Sequence, residues 1–209
     1  MGLQSKVPDI TKWNQFLFKH KNPKTEITIG LIGKYVELQD SYKSILESFI
    51  HAGAENEVKV NIESIHSEYL NDDNIKLKLC HLDGVLVAPG FGERGIEGKI
   101  TAVKYVRENN IPFLGVCLGM QMAVIEFARH VVGIKNANST EMDPNTPNPI
   151  RDLMEDQKTI TRKGGTMRLG AWDCELKSNS LASKIYKTDI VRERHRHRYE
   201  FNSAYKAQM

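Results

Sequence analysis

A chain of 209 residues, 40% hydrophobic and 26% charged, holds enough apolar material for one good-sized core, and a single domain is the default expectation. Lys and Arg total 29 against 26 Asp and Glu, and a formal charge of +3 spread along the chain argues for neither a nucleic-acid nor a membrane partner. Cys80, Cys117 and Cys174 are too far apart for a CxxC metal pair or a secreted disulfide framework, no signal-like leader or run of 18 apolar residues occurs, and a reducing, cytoplasmic location is expected.

Residues 1–24 are polar and basic with scattered Trp13, Phe16, Leu17 and Phe18, which suits a short packing helix in a linker. Ile27 to Gly33 is a β-rich run of the kind found in parallel sheets. Asp40 is placed to cap a helix whose apolar residues Tyr42, Ile45, Leu46, Phe49 and Ile50 recur at helical spacing, with Gly53 as its stop. Val58 to Ile65 alternates apolar and polar residues and predicts a strand near a sheet edge. After a polar turn at Asn71–Asn74 and a short amphipathic piece to Leu79, Gly84 to Ala88 predicts a fully apolar strand that runs into Pro89-Gly90-Phe91-Gly92. A helix over 96–109 leads to the apolar run Ile111 to Val116, expected as a buried strand, and a further helix over 118–130 follows. This alternation predicts an α/β fold: a doubly wound, mostly parallel, flavodoxin-like sheet with helices on both faces and ligands at the carboxyl ends of the strands. Beyond Gly133 the helical period stops. Asp143 to Pro149, with three prolines, is expected as a surface loop, and the rest as a small β-rich C-terminal addition. There, Gly164–Gly170 and Trp172–Leu176 form a hairpin or meander, 181–186 a short helix and 192–201 extended chain.

Gly115-Val116-Cys117-Leu118-Gly119 places a cysteine between glycines at a strand-to-helix elbow. Such a turn exposes its nucleophile and leaves the next N–H free to bind an oxyanion, and the helix N-terminus favours a thiolate. The competing reading is a buried structural cysteine; both glycines and the strand-helix context favour the nucleophile. Neither glycine-rich loop has the spacing of a dinucleotide or P-loop phosphate site.

Four segments together resemble the glutamine amidotransferase domain of the CTP synthases: Gly115 to Gln121, Asn138-Ser139-Thr140-Glu141, Gly164 to Gly170, and Glu193-Arg194-His195-Arg196-His197-Arg198-Tyr199-Glu200. The first is shared by triad-type amidotransferases generally; the other three are narrower, and their order and spacing match over essentially the whole chain. The resemblance implies hydrolysis of glutamine through a thioester on Cys117, with ammonia passing to an N-terminal synthetase domain that aminates UTP to CTP. It makes residues 1–24 the linker from that domain and 25–209 the amidotransferase domain. It assigns Gly90 and Leu118 as oxyanion donors, Gln121 as a glutamine contact, Glu141 as the partner of the substrate ammonium and Arg198, with Tyr199 beside it, as the partner of its carboxylate. No metal and no cofactor are expected in this domain. ATP and Mg2+ belong to the synthetase domain, GTP is an expected allosteric effector, and the full-length enzyme is expected to be a homo-oligomer.

Plainer readings stand beside these. Gln121 can be a surface helix residue, Glu141 a solvated acid, and Arg192 to Arg198 a basic patch, although alternation along a strand would put Arg194, Arg196 and Arg198 on one face and His195 and His197 on the other. Two features depart from the family. None of the seven histidines is followed by Pro-Glu, so the triad's base and orienting acid are missing and the domain is expected to be truncated before them. Ala88-Pro89-Gly90 also replaces the usual Pro-Gly-Gly, and proline at 89 has no N–H to donate. Other readings are a catalytically incomplete glutamine-binding or interaction module and another triad-type γ-glutamyl hydrolase.

Overall fold

The computed structural model describes residues 8–159 and 168–209, and two compact units divide the chain after Phe127.

The first unit runs α1 (Thr11–Lys21), β1 (Thr25–Gly33), α2 (Lys43–Glu55), β2 (Val58–His66), α3 (Ile75–Leu79), β3 (Gly84–Val87), α4 (Ile96–Glu108), β4 (Phe113–Gly115) and α5 (Leu118–Phe127). Its four strands are all parallel, in the order β2-β1-β3-β4. This is the flavodoxin-like order, and it places the loops after β1, β3 and β4 along one edge of the sheet. Strand alternation then builds two cores. Ile32, Ile65, Val85 and Val87 pack with Ile75 and Leu79 of α3 and Ala102, Val103 and Val106 of α4. Their neighbours Leu31 and Leu86 face the other way, onto Ile45, Leu46 and Phe49 of α2. The helix expected near the N-terminus is α1, which lies on α2 through Phe16 stacked on His51 at 5.1 Å and a 2.9 Å ion pair from Lys19 to Glu55.

Three expectations in this unit are corrected. Residues 39–42 form a turn of 3-10 helix before α2, so Asp40 caps nothing. Gly53 lies inside α2 rather than stopping it: its Cα packs so close to the Val58 carbonyl that only glycine fits, and the helix continues to Glu55. The strand expected to be buried, β4, is an edge strand of the described sheet, with Leu114 59% exposed.

In the second unit Ala128–Val132 is a π-helical turn, so the helix expected to reach residue 130 ends as α-helix at Phe127. Next come β5 (Ala137–Ser139), β6 (Asn148–Leu153), β7 (Arg168–Glu175), α6 (Leu181–Tyr186), β8 (Ile190–His197) and β9 (Tyr199–Phe201). β6 is central in a three-stranded sheet, parallel to β5 and antiparallel to β9. Asn148 and Pro149 therefore open a strand instead of ending a loop, as proline can at a strand's start. β7 and β8 form a separate antiparallel ribbon. Arg168–Gly170 and Trp172–Glu175 are thus one continuous strand and pair with β8 rather than with each other, while Gly164 to Met167 lie outside the described residues. Among the described residues no helix is long and apolar enough to cross a membrane.

Candidate active site

Between the end of β4 at Gly115 and the start of α5 at Leu118 the chain turns within two residues. The Val116 N–H donates to the Val87 carbonyl at 3.1 Å and the Gly119 N–H to the Val116 carbonyl at 2.9 Å, which ties the elbow to the end of β3. Cys117, at its apex, has φ +53°, the left-handed region that a residue with a Cβ enters at a cost of about 1–2 kcal/mol. A Cβ at Gly119 would run into the Val87 carbonyl oxygen, so the close approach of helix to strand requires glycine there. Cys117 is a free, half-buried thiol, and Leu118 is the first residue of α5, where backbone N–H groups have no intrahelical acceptor. Gln121 is 6% exposed, which removes the surface-glutamine reading.

The second loop leaves β3. The Ala88 N–H donates to the Ile32 carbonyl at 2.9 Å. A Cβ built on Gly90 would lie 3.4 Å from Leu118 Cδ2, so the two residues expected to supply oxyanion donors are neighbours. Two buried lysines hold this loop. Lys99 Nζ, from α4, donates to the Ala88 carbonyl at 2.8 Å, and Lys34 Nζ, from the end of β1, donates to the Phe91 carbonyl. Burial lowers the Lys99 pKa to about 8, with the charge of Lys34 acting in the same direction and Cys117 opposing it. Neither lysine was anticipated from sequence. The signal was present for Lys99: it sits with Ile96, Ile100, Val103 and Val106 on the apolar stripe of α4, where a cation has no reason to be unless something buried uses it.

Glu141, Arg198 and Tyr199 belong to the second unit. Glu141 follows β5, and its Oε2 meets Arg151 Nη2 of β6 at 2.6 Å, so it is not a freely solvated acid. Arg151 is almost fully buried; its Nη1 donates to Ser139 Oγ at 3.1 Å, and its guanidinium lies 5.0 Å from the ring centre of Tyr199. Burial raises the Tyr199 phenol pKa, and the Glu141 charge adds to the shift. Arg198 Nη1 donates to Gln157 Oε1 at 2.6 Å. His195 and His197 face each other along β8, Nδ1 to Nε2 at 2.9 Å. Sequence reasoning had no means of finding Arg151, because its partners come from strand pairing. Among the described residues no group of three or more His, Cys, Asp or Glu could hold a metal ion.

Residues 37–208 match the family model described as glutamine amidotransferase class-I. The chain is 70% identical over 203 residues to a CTP synthase of Christiangramia forsetii and 54% identical over 211 residues to one of Methanocaldococcus jannaschii, covering 97% and 98% of this chain. It spans 37% and 39% of the length of those two proteins. A solved structure, the glutaminase domain of Trypanosoma brucei CTPS with bound acivicin, superposes with a TM-score of 0.80 at 40% identity, covering 87% of this chain and 70% of that one. With Cys117 at the apex of a strand-to-helix elbow, a glycine loop packed beside it and these relatives, the chain belongs to the glutamine amidotransferase class-I family.

Proposed function

We propose that this chain is a glutaminase domain that hydrolyses the side-chain amide of glutamine and delivers the ammonia to a synthetase domain for the amination of UTP to CTP. The observation that carries the reading is Cys117 held at φ +53° beside the Gly90 loop. The Cys117 thiolate attacks the amide carbon, and the Leu118 and Gly90 N–H groups receive the developing oxyanion, each such donor being worth about 10²- to 10³-fold in rate. Collapse expels ammonia and leaves a γ-glutamyl thioester, which water then cleaves to glutamate. Gln121 contacts the substrate. Glu141 takes the substrate ammonium, while Arg198, flanked by Tyr199, takes its carboxylate; the opposite charges match a zwitterion.

A general base has to take the Cys117 thiol proton and then, as its conjugate acid, hand it to the departing ammonia; none of the seven histidines lies in a His-Pro-Glu setting, and we assign that role to another part of the whole protein. In the whole protein, ATP and Mg2+ serve the synthetase domain, which also holds the UTP site, and the full-length enzyme is a homo-oligomer. GTP acts as the allosteric effector, and the enzyme works in the cytoplasm.

Incubation with 6-diazo-5-oxo-norleucine followed by peptide mass mapping tests the assignment. Modification of Cys117 with Cys80 and Cys174 untouched is the expected result, and an unmodified Cys117 overturns it. Calorimetry with glutamine beside an ammonia-release assay separates this reading from a module that binds glutamine without cleaving it.

A further inference from the structure

Lys99 has no exposed surface, and a cation in such a place needs a strong local reason. Among the described residues no carboxylate pairs with it: its ammonium is tied to the Ala88 carbonyl, and the ionisable groups that act on it are Lys34, at the end of β1, and Cys117, at the start of α5. Lys34 is itself 5% exposed and is tied to the Phe91 carbonyl in the same loop. Two buried positive charges therefore converge on five residues, Ala88 to Gly92, and a Cβ at Gly90 would lie 3.5 Å from Lys34 Cε and 3.8 Å from Lys99 Nζ. Gathering two like charges in a protein interior is costly, and an anion formed among them in the working state offsets that cost. The anions of this site are the Cys117 thiolate and, after attack, the tetrahedral oxyanion.

We propose that Lys99 is a positioning residue of the glutaminase centre, which fixes the oxyanion loop through the Ala88 carbonyl and supplies from beneath it the positive charge that balances the thiolate. The proposal rests on the glutaminase reading of Cys117. Lys99 itself makes and breaks no bond with substrate. With residue 89 a proline and unable to donate, Gly90 carries the loop's contribution alone, so the alignment of its N–H depends on what holds residue 88. The Lys99 bond reaches that residue directly, across eleven positions of sequence.

The test compares the 209-residue chain with its Lys99→Met and Lys99→Arg variants, following alkylation of Cys117 by iodoacetamide from pH 6.5 to 9.5, with thermal unfolding measured on each. Methionine keeps the length and apolar stem of lysine without its charge. The expected result is a Lys99→Met rate about tenfold lower at pH 7 that approaches the wild-type rate at the alkaline end, with arginine restoring much of the loss. A Lys99→Met rate equal to wild type at every pH overturns the proposal. A uniform loss at all pH values, with a lowered melting temperature and no recovery in Lys99→Arg, also overturns it, because that is the behaviour of a merely structural residue. Failure of the underlying glutaminase reading has a different signature: wild-type Cys117 then reacts with 6-diazo-5-oxo-norleucine no faster than Cys80 or Cys174, whatever stands at 99.

Discussion

Arg151 Nη2 sits 2.6 Å from Glu141 Oε2, so the carboxylate proposed to receive the substrate ammonium already has a buried guanidinium as its neighbour. Both side chains are largely withdrawn from water, and removing one partner strands the other. Arg151→Met is expected to destabilise the chain by about 3 kcal/mol in urea unfolding, whereas the double variant Arg151→Met with Glu141→Met recovers most of that loss. A single variant as stable as wild type would show that the pair contributes nothing.

Glutamine binding tests the two ends of the zwitterion clamp separately. Glu141→Gln and Arg198→Met are each expected to weaken glutamine about tenfold or more in calorimetry, since each removes one charge-assisted bond. Gln157→Ala, which removes one hydrogen-bond partner of Arg198, leaves that guanidinium in place and is expected to weaken binding far less.

Backbone strain at Cys117 gives predictions for both stability and reactivity. Cys117→Gly is expected to be about 1 kcal/mol more stable than Cys117→Ala, because glycine adopts φ +53° without the Cβ penalty. Gly119→Ala, which drives a methyl into the Val87 carbonyl, is expected to lower the melting temperature and to slow labelling of Cys117 together. Equal stability of the two Cys117 variants would contradict the left-handed geometry.

Lys99 makes stability depend on pH in the alkaline range. Its pKa falls from 10.5 in the unfolded chain to about 8 in the folded one, so between those values the unfolded state binds more protons and stability from this group rises with pH. Below pH 8 both states are protonated and the penalty, about 3 kcal/mol, is present in full. Lys99→Met is therefore expected to be more stable than wild type at pH 7, less the lost bond to Ala88, and to flatten the rise between pH 8 and 10. Denaturant midpoints at pH 7, 8.5 and 10 check both expectations.

The parallel unit was largely legible because periodicity carries its information locally. Ile45, Leu46 and Phe49 show one apolar face, and Val85 and Val87 against Leu86 show a strand buried on both. The strand at 113–115 was misjudged for a related reason: apolar composition says that a strand is buried but not on which side its neighbours end, and a chain's edge is a property of the whole sheet. In the second unit the difficulty was register. Ser139 lies opposite Arg151 only after a bulge shifts β5 on β6, and that pairing brings Arg151 to Glu141; nothing within ten residues of either announces it. The elbow at 115–119 was the reverse case, a site so local that its glycines state the geometry outright.

The left-handed conformation of Cys117 also says how this position would behave over time. A lineage released from the need for a thiol here would relieve the backbone strain by exchanging cysteine for glycine, a change reachable from either cysteine codon by a single substitution. Decay of this centre would leave its mark first at residue 117, ahead of the core beneath it, and a cysteine still standing in a strained turn is the residue that a relaxed sequence would lose soonest.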